Sequence, residues 1–410
     1  MASRSCDGTL TFTPFESTLG GALIGASAAA LLLGHGRRMD FSCLVADVFI
    51  SISQRKPVET WHALVLIGLI LGGVFATRFS DADTPFPVDT LDYPAAAYAI
   101  AGTLVGFGTS MSSGCTFGHS VYGLGQESKR SQAAVYIFVA VATITSSVAI
   151  QRYEGCAKDP DVFFFAPLAF PSSWKFDVLP LLGGAVVPIV FLCMSALMAL
   201  DWPMPNADEA SGSYTPRRVV SWFVHGCLQL SIGLTAGVGL VLGGVLDQTK
   251  VRGFLNIFGG PWDPSLAFVI ASGAAICYAA HRYASRQQAP FLAPRFAVDD
   301  VKEEIDANLV AGAVVFGIGW GLVGICPAPA IVGLAGPIVG GASCGPVWRF
   351  PLFLAAFAFG SFLTRKIPHE ALPNLLERLK RTMTIYGLLN DEESGLGGSP
   401  PRGAGESTML

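Results

Sequence analysis

Gly317-Ile-Gly-Trp-Gly-Leu-Val-Gly324-Ile-Cys326-Pro327-Ala-Pro329 is a glycine-rich apolar run that stops at a cysteine and restarts on a proline. Proline suits the first position of a helix, where its missing N–H has no partner to lose. The run therefore predicts a helix that ends before Cys326 and a short new helix that begins at Pro327. An equivalent run lies 211 positions earlier, Gly106-Phe-Gly108-Thr-Ser-Met-Ser-Ser-Gly114-Cys115-Thr116-Phe-Gly-His119. Aligning the two cysteines superposes Gly106 on Gly317 and Gly108 on Gly319. Here Ser112, Ser113 and Gly114 form the break and Thr116 starts the new helix.

The surrounding chain is built for lipid. Of 410 residues, 51% are hydrophobic and 14% are charged, against roughly 25% charged in soluble domains. Mean hydropathy is +0.52. The net charge of -4 comes with no basic patch, which argues against nucleic acid as a partner. Residues 1–15 are polar and lack a charged region followed by an apolar one, so the first span is expected to serve for insertion. Nine cysteines, mostly inside apolar runs, point to free thiols rather than a disulfide framework.

Apolar stretches near the ~20-residue length of a spanning helix occur at Leu19–Leu33, Trp61–Ala76, Ala95–Ser110, Ala133–Ile150, Val178–Leu200, Val219–Val245, Leu266–Ala280, Leu309–Ile325 and Val347–Leu363. Between them lie apolar pieces too short to cross: Phe41–Ile52, Thr116–Leu124, Gly253–Phe258 and Pro327–Val339. Arg37–Cys43 aligns with Lys250–Asn256 at an offset of 213, close to the cysteine offset. Duplicated units with broken helices at matching positions predict an internal repeat with the substrate at its interface. The expected fold is an all-α polytopic membrane protein of two pseudo-symmetric, inverted repeats, with short half-helices meeting at the membrane midplane. Its expected divisions are a polar segment 1–15, a first repeat 16–152, a connection with a linker span 153–218, a second repeat 219–365, an amphipathic segment 366–389 and a disordered tail 390–410.

Each break sets a half-helix N-terminus at membrane depth, where unpaired backbone is tolerated only inside protein or against a water-filled cavity. Such a terminus attracts anions, and the thiol beside it is a soft, weak donor. Together they suit a small soft anion, with Cys115, Cys326, Gly114, Thr116, Gly324 and Pro327 along its path. A buried free cysteine is ordinarily a small hydrophobe, and Cys193 and Cys277, on unbroken spans, read that way. Cys6 and Cys156 read as loop thiols; Cys227 and Cys344 are left open. Cys43, in the short piece after Arg38, is a further path candidate. His119 either hydrogen-bonds the path or braces the half-helix. Lys129 and Arg130 read as an interfacial pair or as anion collectors. Arg37 and Lys250 line the mouths or anchor at the interface. The spacings Gly102/Gly106, Gly233/Gly237, Gly239/Gly243 and Gly317/Gly321 read as helix-packing surfaces. No Walker loop, metal-spaced cluster or carboxylate within a span is apparent, so neither a cofactor, a metal nor a carboxylate proton relay is expected.

At these residues the sequence resembles the YeeE/YedE family of sulfur-compound transporters. The matching stretches are Ser113–His119 with Gly123, Leu124 and Ser128–Ser131, then Gly317–Ala330, and Gly243–Phe258 followed by Trp262–Phe268. The resemblance implies thiosulfate uptake through an hourglass-shaped helical body, with Cys115 and Cys326 as substrate-contacting thiols. It also implies a third path cysteine, for which Cys43 stands closest. The expected function is uptake of thiosulfate or a related sulfur anion across a cell membrane by a multi-pass protein that is not an enzyme, with a downstream sulfur-carrier protein as a candidate partner. Two alternatives remain: a membrane-embedded sulfur-transfer or redox protein, against which the absence of a Cys-x-x-Cys pair argues, and a channel for another small anion.

Overall fold

A computed structural model of the chain describes residues 12–79, 93–150, 216–257, 262–297, 304–336, 338 and 348–366. The expectations for Val178–Leu200, His369–Leu389, the 390–410 tail, Cys6, Cys156, Cys193 and Cys344 lie outside these residues. The first series of helices is α1 (Pro14–His35), α2 (Phe41–Ser53), α3 (Thr60–Phe79), α4 (Ala95–Ser112), a π-helical turn (Gly118–Gly123) and α5 (Lys129–Ile150). The second is α6 (Pro216–Leu242), α7 (Gln248–Leu255), α8 (Ser265–Ala284), α9 (Ala307–Val323), α10 (Pro327–Gly333) and α11 (Arg349–Lys366). Both series run long, short, long, long, short, long. Among the described residues, five helices are long and apolar enough to cross a bilayer. Large apolar side chains such as Ile100, Tyr136, Ile144 and Phe359 face outward, as they would toward lipid. The fold is that of an all-α polytopic membrane protein.

Capping residues decide where the short helices begin. The Asp40 carboxylate accepts from Ser42 N at 3.0 Å and starts α2. Asp247 accepts from Thr249 N at 2.8 Å and starts α7. An oxygen at the N-cap satisfies amides that the helix itself leaves without partners. These caps set Asp40 opposite Asp247, 207 positions apart, and correct the offset of 213. The earlier pairing matched apolar similarity, whereas the carboxylate determines where the first turn forms. The second short piece accordingly starts at Gln248 rather than Gly253, and Lys250 takes the place in α7 that Cys43 takes in α2.

The long helices pack α3 on α6, α4 on α9 and α11, α1 on α6 and α8, and α5 on α9. In a bilayer such contacts depend on close van der Waals approach rather than on expulsion of water. At the α4–α9 crossing, a Cβ on Gly312 would lie 2.5 Å from Ser112 N and 2.8 Å from Gly108 O. A Cβ on Gly106 would run into the Phe357 carbonyl oxygen. The glycine spacing thus sets backbone against backbone. Near the α9 break, Phe138 of α5 packs edge-on against Phe316 and Trp320, with ring centroids 5.2 and 5.9 Å away.

Candidate functional site

The two breaks are made the same way. α4 ends on Ser113 at φ 62, ψ 39, and α9 ends on Gly324 at φ 71, ψ 20, both left-handed. Two residues after each stands the cysteine, whose carbonyl accepts the first helical bond of the next segment. His119 N donates to Cys115 O at 2.9 Å and Ala330 N to Cys326 O at 3.1 Å. Glycine adopts this conformation freely, whereas an L side chain there costs about 1–2 kcal/mol. Ser113 therefore carries strain that Gly324 avoids. The half-helix after Cys115 widens into π geometry over Gly118–Gly123, a distortion common at functional sites.

The two half-helix termini are unequal in a way their spacing does not suggest. α10 carries proline at positions 327 and 329, so two of its first amides have no hydrogen to offer. The half-helix after Cys115 has no proline, and the Gly118 amide lies beside the Cys115 sulfur. Free backbone donors are thus more numerous at the first break, while at the second the thiol is the principal polar group.

Both breaks open onto one cavity of about 60 Å³, lined by Cys115, Thr116, Ser120, Trp320, Cys326 and Pro329 among apolar side chains. Thr116 Oγ1 and Cys326 Sγ are 3.2 Å apart, which joins the first residue of one half-helix to the N-cap of the other. The Cys115 thiol donates to Asp40 Oδ1 at 3.6 Å. Cys115, Cys326 and Cys43 are all free. Cys115 and Cys326 are buried, at 2% and 8% exposure, and a space of this size holds a few waters or a compact ion.

The remaining expected site residues fall around this cavity in different roles. Gly324 lines it. Pro327 starts α10 without lining it. Gly114 gives room to His119, since a Cβ there would sit 2.7 Å from His119 Nε2. His119 is buried and pairs with Ser131 Oγ at 3.1 Å. Cys43 is exposed, and its neighbours include Asp40, Arg38 and Asp47. Its amide lies 3.5 Å from Asp40 Oδ1, so Cys43 and Cys115 meet the same oxygen. Arg130 donates to the Glu304 carbonyl at 2.6 Å and to Asp306 at 3.1 Å. Asp306 caps α9 through Leu309 N, so Arg130 ties the start of α5 to the start of α9. Arg37 pairs with Glu59 at 3.4 Å and lies over Trp61, and Lys250 donates to Thr13.

Asp40 is the residue that sequence reasoning missed. It stands between spans, outside the runs in which a carboxylate was sought, yet it is 4% exposed and touches the Cys115 thiol. Its Oδ2 is buried without a hydrogen-bond partner and lies 3.6 Å from Arg38 Nη2. An Asp two residues before a serine at the head of an apolar run was the available signal. A second unit negative charge 4 Å from this carboxylate would cost about 4 kcal/mol at an effective dielectric of 20. Any anion at Cys115 has to contend with it.

Comparison with known families agrees with this architecture. Residues 3–144 match the model of a sulphur transport family, and residues 224–367 match a family of unknown function, DUF6691. A probable transporter of Xylella fastidiosa strain 9a5c is 38% identical over 138 residues, covering 34% of this chain and 88% of the relative. Another, from strain Temecula1, is 37% identical over 138 residues, covering 34% and 86%. A further Temecula1 probable transporter is 34% identical over 129 residues, covering 32% and 90%. The chain belongs to the YeeE/YedE sulphur transport family and is a multi-pass membrane transporter of a sulfur compound.

Proposed function

We propose that the chain takes up thiosulfate, or a closely related small sulfur anion, along a path through the cavity between the two breaks. The observation that carries this reading is the 3.2 Å contact of Thr116 Oγ1 with Cys326 Sγ, with Cys115 lining the same space. The terminal sulfur of thiosulfate is soft and accepts S–H hydrogen bonds, and Cys115 and Cys326 offer such donors from opposite sides of the path. Neutral thiols suit this task, because a thiolate would repel the anion. The apolar remainder of the wall gives a strongly hydrated ion such as sulfate little compensation for lost water. Cys43, exposed and with its backbone amide beside the Asp40 oxygen that the Cys115 thiol meets, serves as the third contact at the entrance. In the same reading the two helix series are inverted repeats that meet at the α4–α9 crossing, and a sulfur-carrier protein receives the sulfur after passage.

The test is uptake of labelled thiosulfate into cells with no other import route. Cys115→Ala and Cys326→Ala should each reduce uptake strongly at equal expression, and unlabelled sulfate should compete poorly. Full uptake by both variants would sink the thiol path.

A further inference from the structure

Asp40 Oδ1 and Oδ2 differ sharply in their surroundings. Oδ1 accepts from Ser42 N, from Ser42 Oγ at 2.6 Å and from the Cys115 thiol, with the Cys43 amide at 3.5 Å. Oδ2 is buried and accepts no hydrogen bond. It sits against Gly118, at the head of the half-helix that follows Cys115. A carboxylate thus lies behind the cavity wall, joined to it through the Cys115 thiol that the substrate must meet.

We propose that Asp40 takes a proton on Oδ2 when the sulfur anion reaches Cys115 and gives it up when the anion leaves, so that anion and proton cross together. This inference rests on the anion path described above. The charged and titratable groups around Asp40 are Arg38 on its own loop, Cys43 and Asp47 on α2, and Cys115, His119 and Tyr122 along the half-helix. Beyond them lie Arg130 at the start of α5, His281 on α8 and Arg365 on α11. Asp47 is paired with Arg365 at 2.9 Å and Arg130 with Asp306 at 3.1 Å, so both are compensated elsewhere. Arg38 is the cation facing Asp40, and it also lies over the Tyr122 ring. Arg38 and Asp40 offset each other while the path is empty. A doubly charged anion breaks that balance, and one proton on Oδ2 restores part of it.

Protonation does a second thing. A neutral carboxyl is a weaker acceptor than a carboxylate, so the Cys115 thiol is released from Oδ1 and can turn its hydrogen to the substrate sulfur. The proton comes from water on the entry side and returns to water on the exit side. No electrons move and no covalent bond to the substrate forms.

The full chain in liposomes tests this with labelled thiosulfate and the membrane potential clamped at zero. For one proton per anion, an acid-outside gradient should raise accumulation about tenfold per pH unit. Asp40→Asn should remove that response, since asparagine still caps α2 but cannot bind the proton. Counterflow at equal pH reports the anion path alone. Wild type with counterflow but no response to the gradient overturns the proton step, and an Asp40→Asn variant that still responds overturns Asp40 as its carrier. Wild type without counterflow overturns the anion path itself. If Asp40→Asn carries nothing, Asp40→Glu decides: it keeps a carboxyl, and carriage without a gradient response overturns the proposal.

Discussion

Thr116 and Cys326, 210 positions apart in sequence, stand with hydroxyl and thiol 3.2 Å from each other. The contact joins the two breaks through polar atoms. Replacing Thr116 with valine keeps the shape and removes the oxygen. Thr116→Val should weaken thiosulfate binding by about 1 kcal/mol, a several-fold rise in KM. Concentration-dependent uptake measures this, and an unchanged KM would mean that the hydroxyl only packs.

Ser113 holds a left-handed conformation that glycine adopts at no steric cost. Ser113→Gly should therefore raise the Tm of purified protein, with a gain of up to about 1 kcal/mol. Gly324→Ala, at φ 71, should lower it by a similar amount or more. Equal shifts of the same sign would show that the two breaks are not built alike.

Gly114 leaves space for the His119 ring. Gly114→Ala should push His119 off Ser131, lowering both Tm and uptake, and Gly114→Ala with His119→Ala should recover Tm. Failure of the double variant to recover would place the damage in the backbone at the break.

Arg130 is 6% exposed and ties α5 to α9 through Asp306. Arg130→Met should cost about 1–3 kcal/mol, because Asp306 and the Glu304 carbonyl lose their partner, while Asp306 keeps water and Leu309 N. Uptake per folded molecule should change little. A selective loss of substrate affinity in stable protein would return Arg130 to the role of anion collector.

Cys43 is exposed whereas Cys115 and Cys326 are buried. An impermeant thiol reagent should label Cys43 much faster than the other two in detergent-solubilised protein, and thiosulfate should slow the labelling. Intact-mass analysis of single-cysteine variants reads this directly.

The breaks were legible because Pro327 and the Ser113-Gly114 pair leave little backbone choice. Their junction through Thr116 was not, since nothing local tells one half-helix which side chain of the other it will meet. The register of the short helices slipped because apolar resemblance was weighed above the capping carboxylates Asp40 and Asp247. Asp40 escaped notice for the same reason: it lies outside every apolar run and is carried inward only when α2 folds back among the spans. The loss of donors at α10 was written in Pro327 and Pro329, but its consequence depends on which groups face the cavity. The π turn at Gly118–Gly123 has no sequence signature, because neighbours such as Ser131 and Asp40 shape it.

The main helix contacts, α3 with α6, α1 with α6 and α8, α4 with α9 and α11, and α5 with α9, all join one series to the other. Among the described residues neither series packs its long helices on one another, so each is the folding template of its counterpart. A gene cut within the connection at 151–215 should yield fragments that are degraded when made singly and that assemble when made together. Fusion in one chain fixes their stoichiometry at the moment of synthesis.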